Sequence, residues 1–434
     1  MKSKCLVIFI ILSFVLSACR TDDYGNGILL EEEGLKDTLT IELVGHDSNS
    51  LLYQKMMSFA ENQPNLEVRV RRYSYGYNTS SAWIMGGGGP DDPPDLLEIT
   101  PNQMKLWFHH DKIEALSIRE PEHQDFMIHS PDGYVLGVVT KINPLVVFYN
   151  REVLRRYGLE SPINEWDWVQ FEQVIKVLKE NGENVYILAD PYLLEWVTIN
   201  RFGGRIVDSS GTVFKGYLDS EEGVQAAEWL FSINTRLEDY KHRLIGSNYT
   251  YVPMPYDLIE NNIALAVYHP LYRKQGHDEI IELNDRIGIA PLPGGDEVIN
   301  PAMMSGLVIH KDSRNKEAAM ALLRYLLEES NDFHRDTLVQ TYQAISGKAP
   351  NEGSDEWSII LQEAKRSVPV TLMMNEGGIQ WSITSYRSLY HAMKNGQSAK
   401  ELLQRDAEKI DAQFEELKKD FNPKFRKPIM TAII

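Results

Sequence analysis

The sequence predicts an α/β fold built as two lobes, and three observations carry that expectation. Residues 38–70 read as strand, helix and strand, the unit of a parallel sheet. Residues 145–168 leave one sheet through capped joints and open a new helical layer. The chain's 434 residues also exceed what one hydrophobic core usually holds.

The first residues stand apart from both cores. Lys2 and Lys4 precede an apolar run over 6–16, broken only by Ser13, and small residues lead to Cys19. This is the pattern of a secretory signal, and the run is shorter than the roughly 20 apolar residues a membrane span needs. Cys5 lies within that signal, so the mature chain would hold Cys19 alone and form no internal disulfide. Residues 19–37 are polar, with Gly25, Gly27 and the run Glu31, Glu32 and Glu33, as in an acidic tether.

The globular part begins with alternating residues 38–44, a strand, and a turn and helix cap over 47–50. Leu52, Met56, Phe59 and Ala60 recur at helical spacing, Pro64 ends that helix, and 66–70 alternate again. Gly86–Gly89 lack the Lys-Ser/Thr of a phosphate loop, and Pro90, Pro93 and Pro94 bar the helix of a dinucleotide fingerprint. Residues 96–99 form a third strand, a helix follows through 104–108, and 135–139 form another strand. Leu145, Val146, Val147 and Phe148 make a buried strand. Asn150 then caps a short helix, Gly158 suits the left-handed position behind it, and Asp167 with Gln170 forms a capping box.

Beyond that joint, Phe171, Val174, Ile175 and Leu178 form one helical face and 185–188 a strand. Residues 192–200 form a helix, and 206–208 with 212–214 a hairpin about Ser209, Ser210 and Gly211. Asp219 and Glu222 read as a capping box before a helix that buries Val224, Ala227 and Leu230. Residues 263–268, 287–290 and 307–309 are strands; Ala318, Leu322, Tyr325 and Leu326 mark a strong helix, and 399–417 an amphipathic one.

A net charge of −18 argues against a nucleic-acid partner, since no concentrated basic face offsets it. His109, His110 and Asp111, or His277, Asp278 and Glu279, lack the spacing of a metal site, and no nucleophile motif appears. No metal or other cofactor is expected.

Several stretches, taken in order, resemble the bacterial extracellular solute-binding proteins of ABC importers, in the sugar-binding, maltodextrin-binding-like branch. These are 59–70, the Pro-Asp strand 93–99, FYNREVL at 148–154, INRFGGRIVD at 199–208, IGIAPLPGG at 287–295 and, most fully, 305–327. The ending of the signal is similar to a lipobox, which implies cleavage after residue 18 and an acylated Cys19. The resemblance implies a type II periplasmic-binding-protein-like fold with three crossings near 145–150, 268–270 and 309–312 and a ligand cleft between the lobes. The lobes would be 38–148 with 271–309, and 149–270 with 310–434. It further implies a lipid-anchored monomer outside the cytoplasm that binds a carbohydrate by hinge closure, delivers it to a permease and performs no chemistry.

A sugar needs aromatic platforms for its ring faces and polar groups for its hydroxyls. Tyr192, Tyr268, Tyr272 and Trp381 resemble family positions that stack on ligand, and each could equally pack a core. Asp47, Asn102 and Ser305 stand at strand ends as polar candidates, where Asp47 and Asn102 could equally cap helices. So acidic a chain offers many carboxylate pairs, so an exported glycoside hydrolase stays open as the alternative. A binding protein for a peptide or polyamine is the other.

Overall fold

The computed structural model describes residues 37–44, 50–73, 93–118, 121–130, 132–159, 166–187, 191–209, 211–233, 263–270, 286–329, 332–346, 349–371, 389 and 392–419. The signal, Cys19 and residues 19–36 of the expected tether lie outside them, as does the glycine loop at 86–89; Asp37, expected as the tether's last residue, instead opens the first strand, where it pairs with Leu66.

The first sheet opens with β1 (Asp37–Val44), β2 (Leu66–Tyr73), β3 (Leu96–Ile99), β4 (Met127–His129) and β5 (Val135–Asn143). Four later strands, β6 (Val146–Asn150), β7 (Asn184–Ile187), β8 (Ile263–Tyr268) and β9 (Ile287–Ala290), make a second sheet in the order β7-β8-β6-β9. The chain then returns: β10 (Asn300–Ile309) inserts between β3 and β5, antiparallel to both, and β11 (Ser367–Pro369) pairs beside its start. The first sheet therefore runs β2-β1-β3-β10-β5-β4. At Gly306 the strands approach so closely that a Cβ would lie 2.3 Å from the Val138 carbonyl oxygen, beside the bulge at Ser305 and Gly306.

The predicted strand–helix–strand unit is present. Helix α1 (Leu51–Glu61) joins β1 to β2, which pair in parallel, and Ser50 caps it. It buries Leu52, Met56 and Phe59 on the first sheet with Leu39, Ile41 and Leu43. Helix α2 (Pro101–His109) follows β3 directly. The joint after β6 also forms as read. Asn150 accepts from the amides of Glu152 and Val153 at the head of α3 (Arg151–Arg156), and Gly158 has φ +64°. The Asp167–Gln170 capping box heads α4 (Trp168–Glu180). Helices α5 (Pro191–Asn200) and α6 (Glu221–Ile233) complete the described layer on the second sheet. Three more helices, α7 (Lys316–Glu328), α8 (Phe333–Ser346) and α9 (Asp355–Lys365), precede β11, and α10 (Ala399–Lys419) lies against α6.

Sheet membership corrects several sequence expectations. The first crossing falls at Pro144 and Leu145, because the whole of β6 pairs with β8 and β9; residues 146–148 thus join the second sheet rather than the first. No crossing occurs at 309–312, since α7 packs Ala319, Leu322 and Leu323 back on the first sheet. Strand β9 pairs with β6, so 287–290 belong to the second sheet, and the return to the first runs through 291–299. Strand β8, which ends at Tyr268, and β9 both pair with β6, and the expected crossing at 268–270 leads into 271–285, which lie outside the described residues. Passage to α10 follows β11. The expected hairpin at 206–214 is a turn without strands, in which the Asp208 carboxylate accepts from the amides of Thr212 and Val213. Ser220, not Asp219, caps α6: its hydroxyl accepts from the Gly223 amide, while Asp219 accepts from Gly216.

The crossings meet at a buried polar node. Asn300 accepts from the Leu145 amide at 2.9 Å and donates to the Leu145 carbonyl at 2.8 Å and the Glu363 carboxylate at 2.7 Å. Glu363 accepts from the Leu292 amide and from the Arg366 guanidinium, which also donates to the carbonyls of Leu292 and Gly295. Asn300 and Glu363 are fully buried. One cluster thus ties the outgoing crossing, the returning crossing and the residues leading into β11. The His269 Nδ1 adds a fourth tie, at 2.8 Å from the Asn143 carbonyl oxygen.

Candidate functional site

The carboxyl end of β3 leads into α2 through a reciprocal cap. The Thr100 amide donates to the Gln103 side chain, and the Gln103 amide donates to the Thr100 hydroxyl. Asn102 is therefore not the cap. Its amide donates to the carbonyls of Thr371 at 2.7 Å and Val370 at 3.3 Å, just beyond β11. From the second lobe, Glu195 of α5 reaches the same residues: its carboxylate accepts from both the amide and the hydroxyl of Thr371. Asn102, Thr371 and Glu195 thus bridge the lobes.

Lys105, one turn beyond Asn102 on α2, extends toward the second lobe. A Cβ on Gly211, in the turn after Asp208, would lie 3.9 Å from its ammonium nitrogen. Lys105 is exposed to solvent, yet the surrounding protein pushes its ammonium below the usual lysine range, with Glu195 opposing that shift. Burial pushes the Glu195 carboxyl up to about 7, against the Thr371 hydrogen bonds and the Lys105 charge. The arrangement offers hydrogen-bonding groups from both lobes. Among the described residues no group of side chains could hold a metal ion.

The predicted site residues fare unevenly. Asn102 belongs to this bridge. Ser305 does not: it is buried, and its hydroxyl donates to Glu98 at 2.8 Å. Lys141 also donates to Glu98, at 3.0 Å, and burial lowers its ammonium pKa. Ser305 thus completes a buried ion-pair network inside the first sheet. Tyr268 is only 7% exposed, at the end of β8 opposite Val146, with its ring tilted against His269, so little ring face is left for stacking. Tyr192 stands in the first turn of α5, three residues before Glu195, but its side chain lies outside the described residues. Asp47, Tyr272 and Trp381 lie outside them altogether.

Among the described residues, the tryptophans chiefly serve the core. Trp107, Trp166, Trp196 and Trp357 are buried, and half-buried Trp168 stacks on Trp196 with ring centroids 5.0 Å apart. Lys105 and Glu195 escaped sequence reading. One signal was available: Glu195 is the only charged residue in the helix segment PYLLEWVTIN.

A family model described as bacterial extracellular solute-binding protein matches residues 53–332. An arabinooligosaccharide-binding protein from Halalkalibacterium halodurans is 22% identical over 305 residues, which are 65% of this chain and 66% of that protein. Among solved structures, an ABC substrate-binding protein from Listeria monocytogenes in complex with cycloalternan superposes with a TM-score of 0.60 at 17% identity, covering 88% of this chain and 99% of that one. A sugar-binding protein from Xanthomonas citri gives 0.61 at 16% identity, over 88% and 98%.

Proposed function

The chain belongs to the bacterial extracellular solute-binding proteins, and from that premise we propose that it captures a carbohydrate between its lobes and delivers it to an ABC permease in the membrane. The observation that carries this reading is the polar constellation of Asn102, Lys105 and Glu195, drawn from both lobes around Thr371. A ligand that touches both halves favours the closed arrangement by its extra contacts there. Tyr192, Tyr272, Trp381 and Asp47 remain candidates to complete the site. Binding an oligosaccharide performs no chemistry on it.

Addition of the cognate saccharide stabilises the folded chain by mass action, by about 2.7 kcal/mol at a hundredfold excess over Kd. A thermal-shift panel of mono- and oligosaccharides reads this as a rise in Tm, with binding heat in titration. A panel without shift or heat refutes the carbohydrate reading. Reducing ends released from a glycan by the purified protein would replace it with a hydrolase.

We further propose that residues 1–18 are a signal, that Cys19 carries the lipid, and that 19–36 tether a monomer to the outer face of the cell membrane. The small residues before Cys19 support this. No helix among the described residues is long and apolar enough to cross a membrane. Cys19→Ser is expected to release the exported protein from the membrane fraction; retention there would refute the anchor.

A further inference from the structure

The charges in the cleft are not symmetric. Lys105 presents an ammonium to solvent at the seam between the lobes, and among the described residues no carboxylate lies within ion-pair distance of it. Glu195 is close enough to act on it electrostatically, but both Glu195 oxygens already accept from Thr371. Lysine has three donors and no acceptor capacity. A neutral sugar would satisfy such a group only with hydroxyl oxygens, whereas a carboxylate would meet it with a charge-assisted bond of about twice the strength.

We infer that Lys105 makes this cleft selective for acidic oligosaccharides, those bearing a uronic-acid carboxylate that pairs with its ammonium. This rests on the carbohydrate reading above. The chain's net charge of −18 does not bar such a ligand. Distant surface charges are screened beyond about 8 Å at physiological ionic strength, while a contact inside the cleft is screened much less. Glu195 adds a pH signature. Its protonation near neutrality removes the negative charge that, among the described residues, acts on Lys105, while a uronate stays ionised. Acidic ligands should therefore bind more tightly at pH 6 than at pH 8.

The test is calorimetric titration of the full mature chain with galacturonate, aldouronate and alginate oligosaccharides, each paired with its neutral methyl ester. At least one acidic member is expected to bind about tenfold or more tighter than its ester, from the strength of charged hydrogen bonds. Lys105→Gln should bring the affinity of each acidic member down to that of its ester, whatever ester affinity the variant retains, and the exposed position makes the variant's folding a simple check by Tm. Glu195→Gln should flatten the pH dependence, because an amide is isosteric and the Thr371 hydroxyl can turn to accept from it. Binding of neutral saccharides with no acidic preference, or a preference that survives Lys105→Gln, overturns the inference and leaves the carbohydrate reading intact. Binding of no saccharide of either kind overturns both.

Discussion

Glu363→Ala is expected to destabilise the protein by about 3–5 kcal/mol, the usual cost of removing one partner from a buried ion pair. Glu363 is fully buried, and its loss strands several groups together. The Arg366 guanidinium loses its carboxylate, and Asn300 and the Leu292 amide lose an acceptor. Asn300 and the Leu292 amide are buried and cannot turn to water without opening the node. Glu363→Gln should cost less, because its amide oxygen can keep the Leu292 bond. Urea denaturation of the three proteins measures the order. A loss below about 1 kcal/mol for the alanine variant would show that the node relaxes, since that is the range of an ordinary exposed pair.

Stability should also fall on acidification through the histidines. His269 is buried, and burial lowers its pKa from 6.5 to about 4, against the carbonyls of Asn143 and Pro144. Below pH 6.5 the unfolded chain binds a proton that the folded one refuses. The contribution is therefore complete above pH 6.5 and disappears as pH falls toward 4. For a shift of that size it amounts to roughly 3 kcal/mol. His110 is lowered to about 4 as well, and His310 and His334 shift the same way, each chiefly by burial. Glu195 acts in the opposite sense. Its raised pKa makes its contribution complete below the ordinary carboxylate range and lost as pH rises through about 7. Urea midpoints between pH 4 and 8 should peak near neutrality. His269→Asn can keep a donor toward the Asn143 carbonyl, and should remove part of the acid slope. An unchanged slope would assign the acid loss to other groups.

Local chemistry was legible in the sequence where it acts over a few residues. The Asn150 cap, the left-handed Gly158 and the Asp167–Gln170 box all form within four positions, and all are present. Sheet membership was not legible at the later crossings. Residues 287–290 form a short apolar strand suited to either sheet, and only pairing with β6 assigns it. The capping residue of α6 was misread by one position because Asp219 and Ser220 both carry side-chain acceptors. The site was legible only in part. Asn102 was found from its place after a strand, but its partners lie more than 260 residues away. Ser305 occupies an equally suggestive place and proves to be the mate of Glu98, some 207 residues distant.

The position of β10 constrains the order in which the molecule can assemble. The first sheet has a gap between β3 and β5 that residues 300–309 fill, whereas every described strand of the second sheet lies within 146–290. During synthesis the later-encoded sheet can close while the earlier one still waits for its middle strand. Joining β3 to β10 closes a loop of roughly 200 residues, and such distant pairings are slow. The amino-terminal half, though made first, is thus the last to finish, and its unpaired edges at β3 and β5 are what a nascent or refolding chain must keep from other molecules.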